Sequence, residues 1–158
     1  MTDIVNAFKT LYGEDAHNRT RAVVVDDEPL IAKLSSRILR RPSETGIVTT
    51  VDFPRADYAL AAIASEETRK NIALIVSDFN MPGINGIEFA DSLRKVPDGK
   101  IPFLLMSGNI PEIVQKAFDI AVSKGSIDAF IEKPFGPEEL LAAVERAILR
   151  RIQILGEG

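Results

Sequence analysis

Residues 22–27 read Ala22-Val23-Val24-Val25-Asp26-Asp27, a short apolar run that is followed at once by two acids. Four apolar residues are too few for a helix, and their lack of alternation predicts a strand that is buried on both faces. Comparable runs occupy residues 72–76, 101–106 and 127–131, and a weaker one occupies residues 47–51. Because continuous apolar strands are typical of parallel sheets, the sequence predicts a parallel sheet of five strands.

The segments between these runs carry apolar residues at helical spacing. Leu30, Leu34 and Ile38, for example, form one stripe along a predicted helix. The other four helical segments are residues 57–64, 86–95, 111–124 and 137–151. Five strands that alternate with five helices predict an α/β fold, with a doubly wound parallel sheet and right-handed crossovers.

Composition limits the chemistry that the chain can perform. Its 158 residues, 46% of them hydrophobic and 27% charged, are expected to form a single globular domain. The absence of cysteine and the single histidine, His17, exclude thiolate chemistry and metal sites built from cysteines or several histidines. The net charge of −4 argues against nucleic acid as a partner. With no apolar run that could span a bilayer and no signal peptide, we expect a cytoplasmic protein with no membrane partner.

The alternating pattern covers residues 21–151, which we take as the domain. Residues 1–20 stand outside the pattern and are predicted to be an N-terminal arm. The alternative is a short docking helix, because Ile4, Phe8 and Leu11 have helical spacing. Residues 152–158 are predicted to be a C-terminal tail. Since the tail is too short for an output domain, we expect a stand-alone module.

Polar residues follow the predicted strands at their carboxyl ends, where ligands bind in open α/β sheets. Asp26-Asp27 follows the first strand, Ser77-Asp78 the third, Ser107 the fourth and Glu132-Lys133 the fifth. The carboxylates would repel one another without a cation among them, and oxygen ligands without histidine or cysteine favour Mg²⁺ over zinc. With a lysine and a hydroxyl to bind phosphoryl oxygens, the set predicts a phosphoryl-transfer site.

Several of these residues also have an ordinary structural explanation. Either Asp26 or Asp27 alone could simply cap the following helix. Phe130 could simply pack within the last strand. The combination of Asp26 and Asp27 with Asp78 and Lys133 favours a functional site over capping alone.

Four motifs in this order resemble the receiver domain of two-component response regulators, of the single-domain kind typified by the chemotaxis response regulator. The resemblance covers about residues 21–151, and it implies a flavodoxin-like receiver fold. The motifs are Val23-Val24-Val25-Asp26-Asp27-Glu28-Pro29, Ile75-Val76-Ser77-Asp78-Phe79-Asn80-Met81-Pro82-Gly83-Ile84-Asn85-Gly86, Leu105-Met106-Ser107-Gly108 and Phe130-Ile131-Glu132-Lys133-Pro134-Phe135.

The resemblance implies a signalling phosphoprotein of a two-component phosphorelay. Asp78 would be the phosphoacceptor, with a histidine kinase or histidine phosphotransfer protein as its donor. Lys133 and Ser107 would contact the phosphoryl group, and Ser107 with Phe130 would form the switch that is read by an unidentified target protein. The domain would not be an enzyme, because it would catalyse only its own magnesium-dependent phosphorylation and dephosphorylation.

The resemblance also implies the ligands of the magnesium cofactor. Asp27 would bind the ion directly, Asp26 would act through water, and Asp78 and the backbone carbonyl of Asn80 would complete the protein ligands. The segment Met81-Pro82-Gly83 and Gly86 would form the loop that lets the backbone approach the site.

Two intervals are longer than is usual for the family that the sequence resembles. Asp27 and Asp78 are 51 positions apart, and Ser107 and Lys133 are 26 positions apart. The second interval predicts a longer fourth helix or a longer loop before it. Because that region is commonly the partner-binding face of the family, the identity of the partner stays open.

Two other functions fit part of the pattern. A magnesium-dependent aspartyl-phosphate phosphatase would use Asp78 as its nucleophile, but it usually needs a second acid two positions later, where this chain has Asn80. A phosphate-independent binding module of the same fold is disfavoured because the set of site residues is complete. The signalling switch is therefore the preferred interpretation.

Overall fold

The computed structural model describes residues 3–157, which form one parallel sheet of five strands. Residues 1, 2 and 158, which belong to the predicted arm and tail, lie outside the described residues. The strand order is β2-β1-β3-β4-β5, and every neighbouring pair is parallel. The predicted α/β class and doubly wound sheet are therefore confirmed. The strands are β1 (Arg21–Val25), β2 (Thr49–Phe53), β3 (Ile72–Asp78), β4 (Phe103–Ser107) and β5 (Ala129–Glu132).

Residues 3–157 contain eight α-helices rather than the five predicted. The five expected ones are α2 (Pro29–Leu39), α4 (Ala56–Ile63), α6 (Gly86–Leu93), α7 (Gln115–Ser123) and α8 (Pro137–Glu157). The additional ones are α1 (Ile4–Tyr12), α3 (Pro42–Thr45) and α5 (Glu66–Arg69). The last two are single turns inside connections, so they change the count without changing the fold.

Both faces of the sheet are covered by helices. Val24 and Leu104 pack with apolar residues of α1, α2 and α8 on one face. Val23, Val25 and Leu105 pack with residues of α4, α6 and α7 on the other. Because successive residues of a strand point to opposite faces, a strand covered on both sides must be apolar at every position. This explains the continuous apolar runs in the sequence.

The N-terminal segment is a docked helix, the alternative to the predicted arm. Ile4, Phe8 and Tyr12 of α1 are buried in the core that also contains residues of α8. The Tyr12 hydroxyl donates a hydrogen bond of 2.7 Å to the carbonyl of Ala73 in β3. Since apolar packing and a buried hydrogen bond both fix the segment, it is part of the folded domain.

The last helix continues to Glu157, so the prediction of a tail from residue 152 was wrong for the described residues. No proline or glycine interrupts residues 138–155. Arg151 is buried, and Ile152 packs against the core. These contacts hold the end of α8 on the domain. Although α8 is the longest helix, neither it nor any other helix between residues 3 and 157 is long and apolar enough to cross a membrane.

A buried ion cluster lies at the amino ends of β4 and β5. The Asp128 carboxylate accepts hydrogen bonds of 2.8 Å from Arg94 Nη2 and from the N–H of Phe103. Arg151 donates to the other Asp128 oxygen through Nε at 2.9 Å. Burial raises the pKa of Asp128 and lowers the pKa of Arg94 to about 10, although each side chain faces an opposite charge. This cluster joins α6, β4, β5 and α8 at the edge opposite the predicted site.

Candidate functional site

The carboxyl ends of β1, β3 and β4 bring the predicted site residues together. In the sheet register, Val25 pairs with Ser77 and Asp78 with Met106. Asp26, which follows Val25, therefore lies beside the end of β3. Since β1 and β3 are neighbours in the sheet while β2 lies between them in the chain, the strand order reverses at this edge. This is the place where an open α/β sheet binds its ligands.

Lys133 connects the acidic side chains of the site. Its Nζ lies 2.8 Å from Asp26 Oδ2, 3.3 Å from Asp78 Oδ1 and 3.4 Å from Glu28 Oε1. The lysine follows β5, and its N–H donates to the carbonyl of Ser107 at the end of β4. The side chains of Asp26 and Asp78 are almost fully buried. One ammonium group therefore interacts with two buried carboxylates and one exposed one.

Burial shifts the ionisation of these groups. It raises the pKa of Asp78 to about 6, with the charge of Asp26 adding to the rise and Lys133 opposing it. Burial also raises the pKa of Asp26, against the hydrogen bonds from Lys133 and from the N–H of Glu28. Burial lowers the pKa of Lys133, but its hydrogen bond with Asp26 and the charges of Asp26 and Asp78 outweigh this and raise it overall. The site thus carries excess negative charge and favours an additional cation.

We expect the metal-free protein to lose stability as the pH rises from about 5 to about 7.5. An aspartate with a pKa of about 6 when folded and about 3.9 when unfolded stabilises the fold fully below the lower value, and this contribution is lost as the pH passes the higher one. The free energy of unfolding, measured with urea in EDTA, should fall by about 1–2 kcal/mol. Asp78→Asn should flatten this dependence, and parallel pH curves for the two proteins would contradict it.

The Ser107 hydroxyl is held within its own loop. It donates a hydrogen bond of 2.8 Å to the carbonyl of Asn109 and accepts one of 3.1 Å from the N–H of the same residue. Ser107 nevertheless lines the same cleft as Asp78. A stronger acceptor on Asp78 would therefore have to draw the hydroxyl away from Asn109.

Phe130 lies on β5, the edge strand of the sheet. Its ring meets that of Phe118 in an edge-to-face contact, with 5.5 Å between the ring centroids. Because Phe118 belongs to α7, this contact couples the edge strand to that helix. The structure therefore packs Phe130, the predicted switch residue, against α7.

The site opens into a cleft of about 570 Å³. Asp27 and Asn80 are exposed at this cleft, whereas Asp78 is buried. The residues that line it are Asp27, Glu28, Asp78, Asn80, Ser107, Gly108, Asn109, Pro111 and Lys133. The structure therefore places the predicted phosphoacceptor, lysine and hydroxyl around one accessible space.

Four carboxylates are close enough to share a metal ion. Asp26, Asp27, Glu28 and Asp78 each offer an oxygen, and these oxygens lie within 4.8 Å of one another. Oxygen donors alone suit a hard divalent cation such as Mg²⁺, which keeps several waters and uses few carboxylates. The residues present therefore fit the predicted metal. The sequence assigns no role to Glu28, because spacing alone does not show that its side chain reaches Lys133.

The loop after β3 lies close to the phosphoacceptor candidate. The N–H of Phe79 donates to Asp78 Oδ1 at 2.9 Å. A Cβ atom at Gly86 would lie 2.6 Å from the backbone oxygen of Asp78, so this position has no room for a side chain. Gly83 has a φ of +83°, which favours glycine. The predicted close approach of the loop is thus visible in the backbone.

The two long intervals have different structural causes. Between Asp27 and Asp78, the single turns α3 and α5 lengthen the connections. Between Ser107 and Lys133, a loop and a 3₁₀ turn at Glu112–Val114 precede the nine-residue α7. The second interval thus contains both a loop and a nine-residue helix, the two elements to which its length was assigned.

Comparison with known proteins identifies the family. Residues 22–145 match the sequence pattern of the response regulator receiver domain, and the chain belongs to this family. The DNA-binding response regulator MtrA of Mycolicibacterium smegmatis is 31% identical over 135 residues, which cover 84% of this chain and 52% of MtrA. The chain thus spans about half the length of the curated relatives that it matches.

Solved structures agree with this family at the level of the fold. The chemotaxis response regulator CheY4 of Vibrio cholerae superposes with a TM-score of 0.61 at 23% identity, covering 81% of this chain and 98% of CheY4. The receiver domain of the hybrid histidine kinase CckA gives a TM-score of 0.59 at 25% identity, with coverages of 81% and 98%. The predicted flavodoxin-like receiver fold is therefore confirmed.

Proposed function

We propose that this protein acts as a signalling switch in which Asp78 accepts a phosphoryl group from a histidine kinase or a histidine phosphotransfer protein. The observation that carries the proposal is the placement of a buried carboxylate, Asp78, 3.3 Å from the Lys133 ammonium in an open cleft. Membership of the receiver family supports the class of donor. The protein would use its site to carry a signal rather than to turn over a substrate.

In the proposed reaction, a carboxylate oxygen of Asp78 attacks the phosphorus atom of a phosphohistidine. The new bond joins Asp78 to phosphorus, while the bond from phosphorus to the histidine nitrogen breaks. The leaving ring keeps that electron pair and takes one proton from solvent. Lys133 would bind a phosphoryl oxygen as a fixed positive charge, and the backbone N–H of Phe79 would keep the attacking carboxylate oriented.

Labelling with a small donor tests this proposal. Acetyl phosphate with Mg²⁺ should label Asp78 and no other residue, because no other side-chain carboxylate between residues 3 and 157 combines access to the cleft with burial beside Lys133. Borohydride trapping and mass spectrometry would locate the label. Asp78→Asn should abolish it, whereas Asp15→Asn, which changes an aspartate at the opposite edge of the sheet, should leave it intact. Undiminished label in Asp78→Asn would refute the assignment.

We also propose that Mg²⁺ is the cofactor of this site. Asp26, Asp27, Asp78 and the backbone carbonyl of Asn80 would hold the ion, with Asp26 acting through water. When bound, the ion would supply positive charge beside the transferring phosphoryl group. The group of four carboxylate oxygens within 4.8 Å of one another supports this assignment.

Mg²⁺ is accordingly expected to raise the melting temperature of the protein. A ligand that binds only the folded state stabilises it by RT ln(1 + [L]/Kd), or about 1.4 kcal/mol when its free concentration is about ten times Kd. Asp27→Asn should raise the melting temperature of the metal-free protein, because it relieves repulsion, and should reduce the effect of Mg²⁺. Melting curves that do not change in millimolar Mg²⁺, at constant ionic strength, would count against the metal site.

We further propose that the signal is read by a protein partner. Near the switch, Ile113 is 91% exposed, Ile120 of α7 is 50% exposed and Val122 is 37% exposed. Exposed apolar side chains suit a protein surface, whereas binding of a phosphate backbone requires lysine and arginine. MtrA is a DNA-binding regulator by name, so DNA binding by a longer product is the alternative, which the intact mass of the native protein would reveal.

A further inference from the structure

Glu28 occupies a position from which its side chain reaches across the cleft. It is the residue before the first turn of α2, and its carboxylate makes no capping hydrogen bond there. Its backbone N–H donates to Asp26 Oδ1 at 2.9 Å, which fixes the turn between β1 and α2. This turn fixes the backbone of Glu28, and the Glu28 carboxylate lies 3.4 Å from Lys133 Nζ.

The three carboxylates around Lys133 differ in their freedom to move. The side chains of Asp26 and Asp78 are 0% and 7% exposed, whereas that of Glu28 is 63% exposed. Buried side chains are fixed by their packing, but an exposed one can leave its partner at little cost. Glu28 is thus the adjustable partner of an ammonium group that the two aspartates hold in place.

We propose that Glu28 is a positioning residue that acts through Lys133 and limits the rate at which Asp78 is phosphorylated. Its carboxylate competes with the oxygens of an incoming phosphoryl donor for the Lys133 ammonium, and its charge repels an anionic donor at the mouth of the cleft. The inference rests on the proposed function of Asp78, but the contact between Glu28 and Lys133 can be measured separately.

The size of the effect follows from the exposure of Glu28. Two unit charges about 4 Å apart in water interact by about 1 kcal/mol, which corresponds to about fivefold in a rate or an affinity. Glu28→Gln should therefore raise the second-order rate of labelling by acetyl phosphate about fivefold. The rate is measured at saturating Mg²⁺, because Glu28 also belongs to the group of carboxylates that could share the ion. Because the change acts on donor binding, the gain should appear mainly as a lower half-saturating concentration of acetyl phosphate.

A matched variant separates the contact from a general change of charge. Glu112→Gln removes an equal charge from an exposed residue next to Pro111, which lines the same cleft. This variant should label at the wild-type rate. NMR of the Lys133 ammonium group, recorded without any donor, should show a shifted signal in Glu28→Gln and an unchanged one in Glu112→Gln.

The outcomes are distinct. Faster labelling together with a shifted Lys133 signal in Glu28→Gln alone would support the proposal. Equal acceleration in Glu112→Gln, or an unchanged labelling rate in Glu28→Gln, would overturn it. If the wild type were not labelled at Asp78 at all, the proposed function would fail, whereas an unshifted Lys133 signal in Glu28→Gln would refute the positioning role by itself.

Discussion

Asp128→Ala is expected to lower the free energy of unfolding by about 3–5 kcal/mol, because it leaves the buried Arg151 and the partly buried Arg94 without their carboxylate. Arg94 and Arg151 both donate hydrogen bonds to Asp128, whose side chain is fully buried. The N–H of Phe103 also loses its acceptor. Removal of one member of a buried ion cluster costs far more than loss of a surface pair, since the remaining charges stay away from water.

Urea unfolding of purified variants would measure this cost. Glu67→Ala is a matched control, because it removes a carboxylate from an exposed pair with Lys70 and should cost at most about 1 kcal/mol. Asp128→Asn, which keeps the volume and part of the hydrogen bonding, should fall between the two. A cost below about 1 kcal/mol for Asp128→Ala would mean that the arginines find solvent or other acceptors, contrary to their burial here.

The sheet could be predicted from the sequence because burial on both faces leaves a direct mark. Every residue of β3 is buried. The run at 72–76 is accordingly apolar at every position, and this continuous pattern predicts an internal strand. The edge strand β2 was predicted two residues too early. The apolar residue Ile47 belongs to the core, but its N–H donates a hydrogen bond to Thr45 Oγ1 rather than to a neighbouring strand. Burial alone does not distinguish a strand from a packed loop.

Helix faces were predicted less well than strands. Leu30 and Leu34 were assigned to the buried stripe of α2, yet they are 81% and 46% exposed. The face that packs contains Ile38 of that stripe and Leu39, together with Ala32, Ser35 and Ser36, whose small side chains leave room for close contact with the sheet. Hydrophobicity identifies a helix, but the size of the available space decides which of its sides is buried.

The sequence predicted which residues form the site, but it did not predict the buried ion pairs that stabilise the fold. Each of Asp26, Asp78, Ser107 and Lys133 lies at the carboxyl end of a strand. Their grouping could be predicted because the sheet topology brings these strand ends to one edge. The pairing of Arg151 with Asp128 could not be predicted from the sequence. Such a pair depends on side chains that are distant in sequence, and no spacing pattern records it.

Ser107→Ala is expected to leave phosphorylation of Asp78 in place while it removes most of the resulting gain in partner affinity. In the unphosphorylated structure the Ser107 hydroxyl donates to the carbonyl of Asn109. Charged phosphoryl oxygens are stronger acceptors than a backbone carbonyl, so phosphorylation should draw the hydroxyl toward Asp78. The loop after β4 then loses the hydrogen bond that holds it and can change its conformation.

We expect this change to reach the predicted partner surface through aromatic packing. The loop leads into α7, whose Phe118 contacts Phe130 of β5 with 5.5 Å between the ring centroids. Movement of α7 would release this contact and allow Phe130 to turn inward. A partner that prefers the altered surface would bind the phosphorylated form more tightly by about 1–3 kcal/mol, a typical coupling free energy between two sites.

NMR with beryllofluoride, a mimic of the phosphoryl group, would test this coupling in the full chain. In the wild type the shifts should spread from Asp78 through Ser107 into residues 110–135. In Ser107→Ala they should stay near Asp78, because no hydroxyl is available to leave Asn109, while Ser107→Thr, which keeps the hydroxyl, should behave like the wild type. Equally extended shifts in Ser107→Ala and the wild type would show that the loop responds to the phosphoryl group without this hydroxyl. The signal would then have to pass through Lys133, whose N–H donates to the carbonyl of Ser107 and whose ammonium already contacts Asp78.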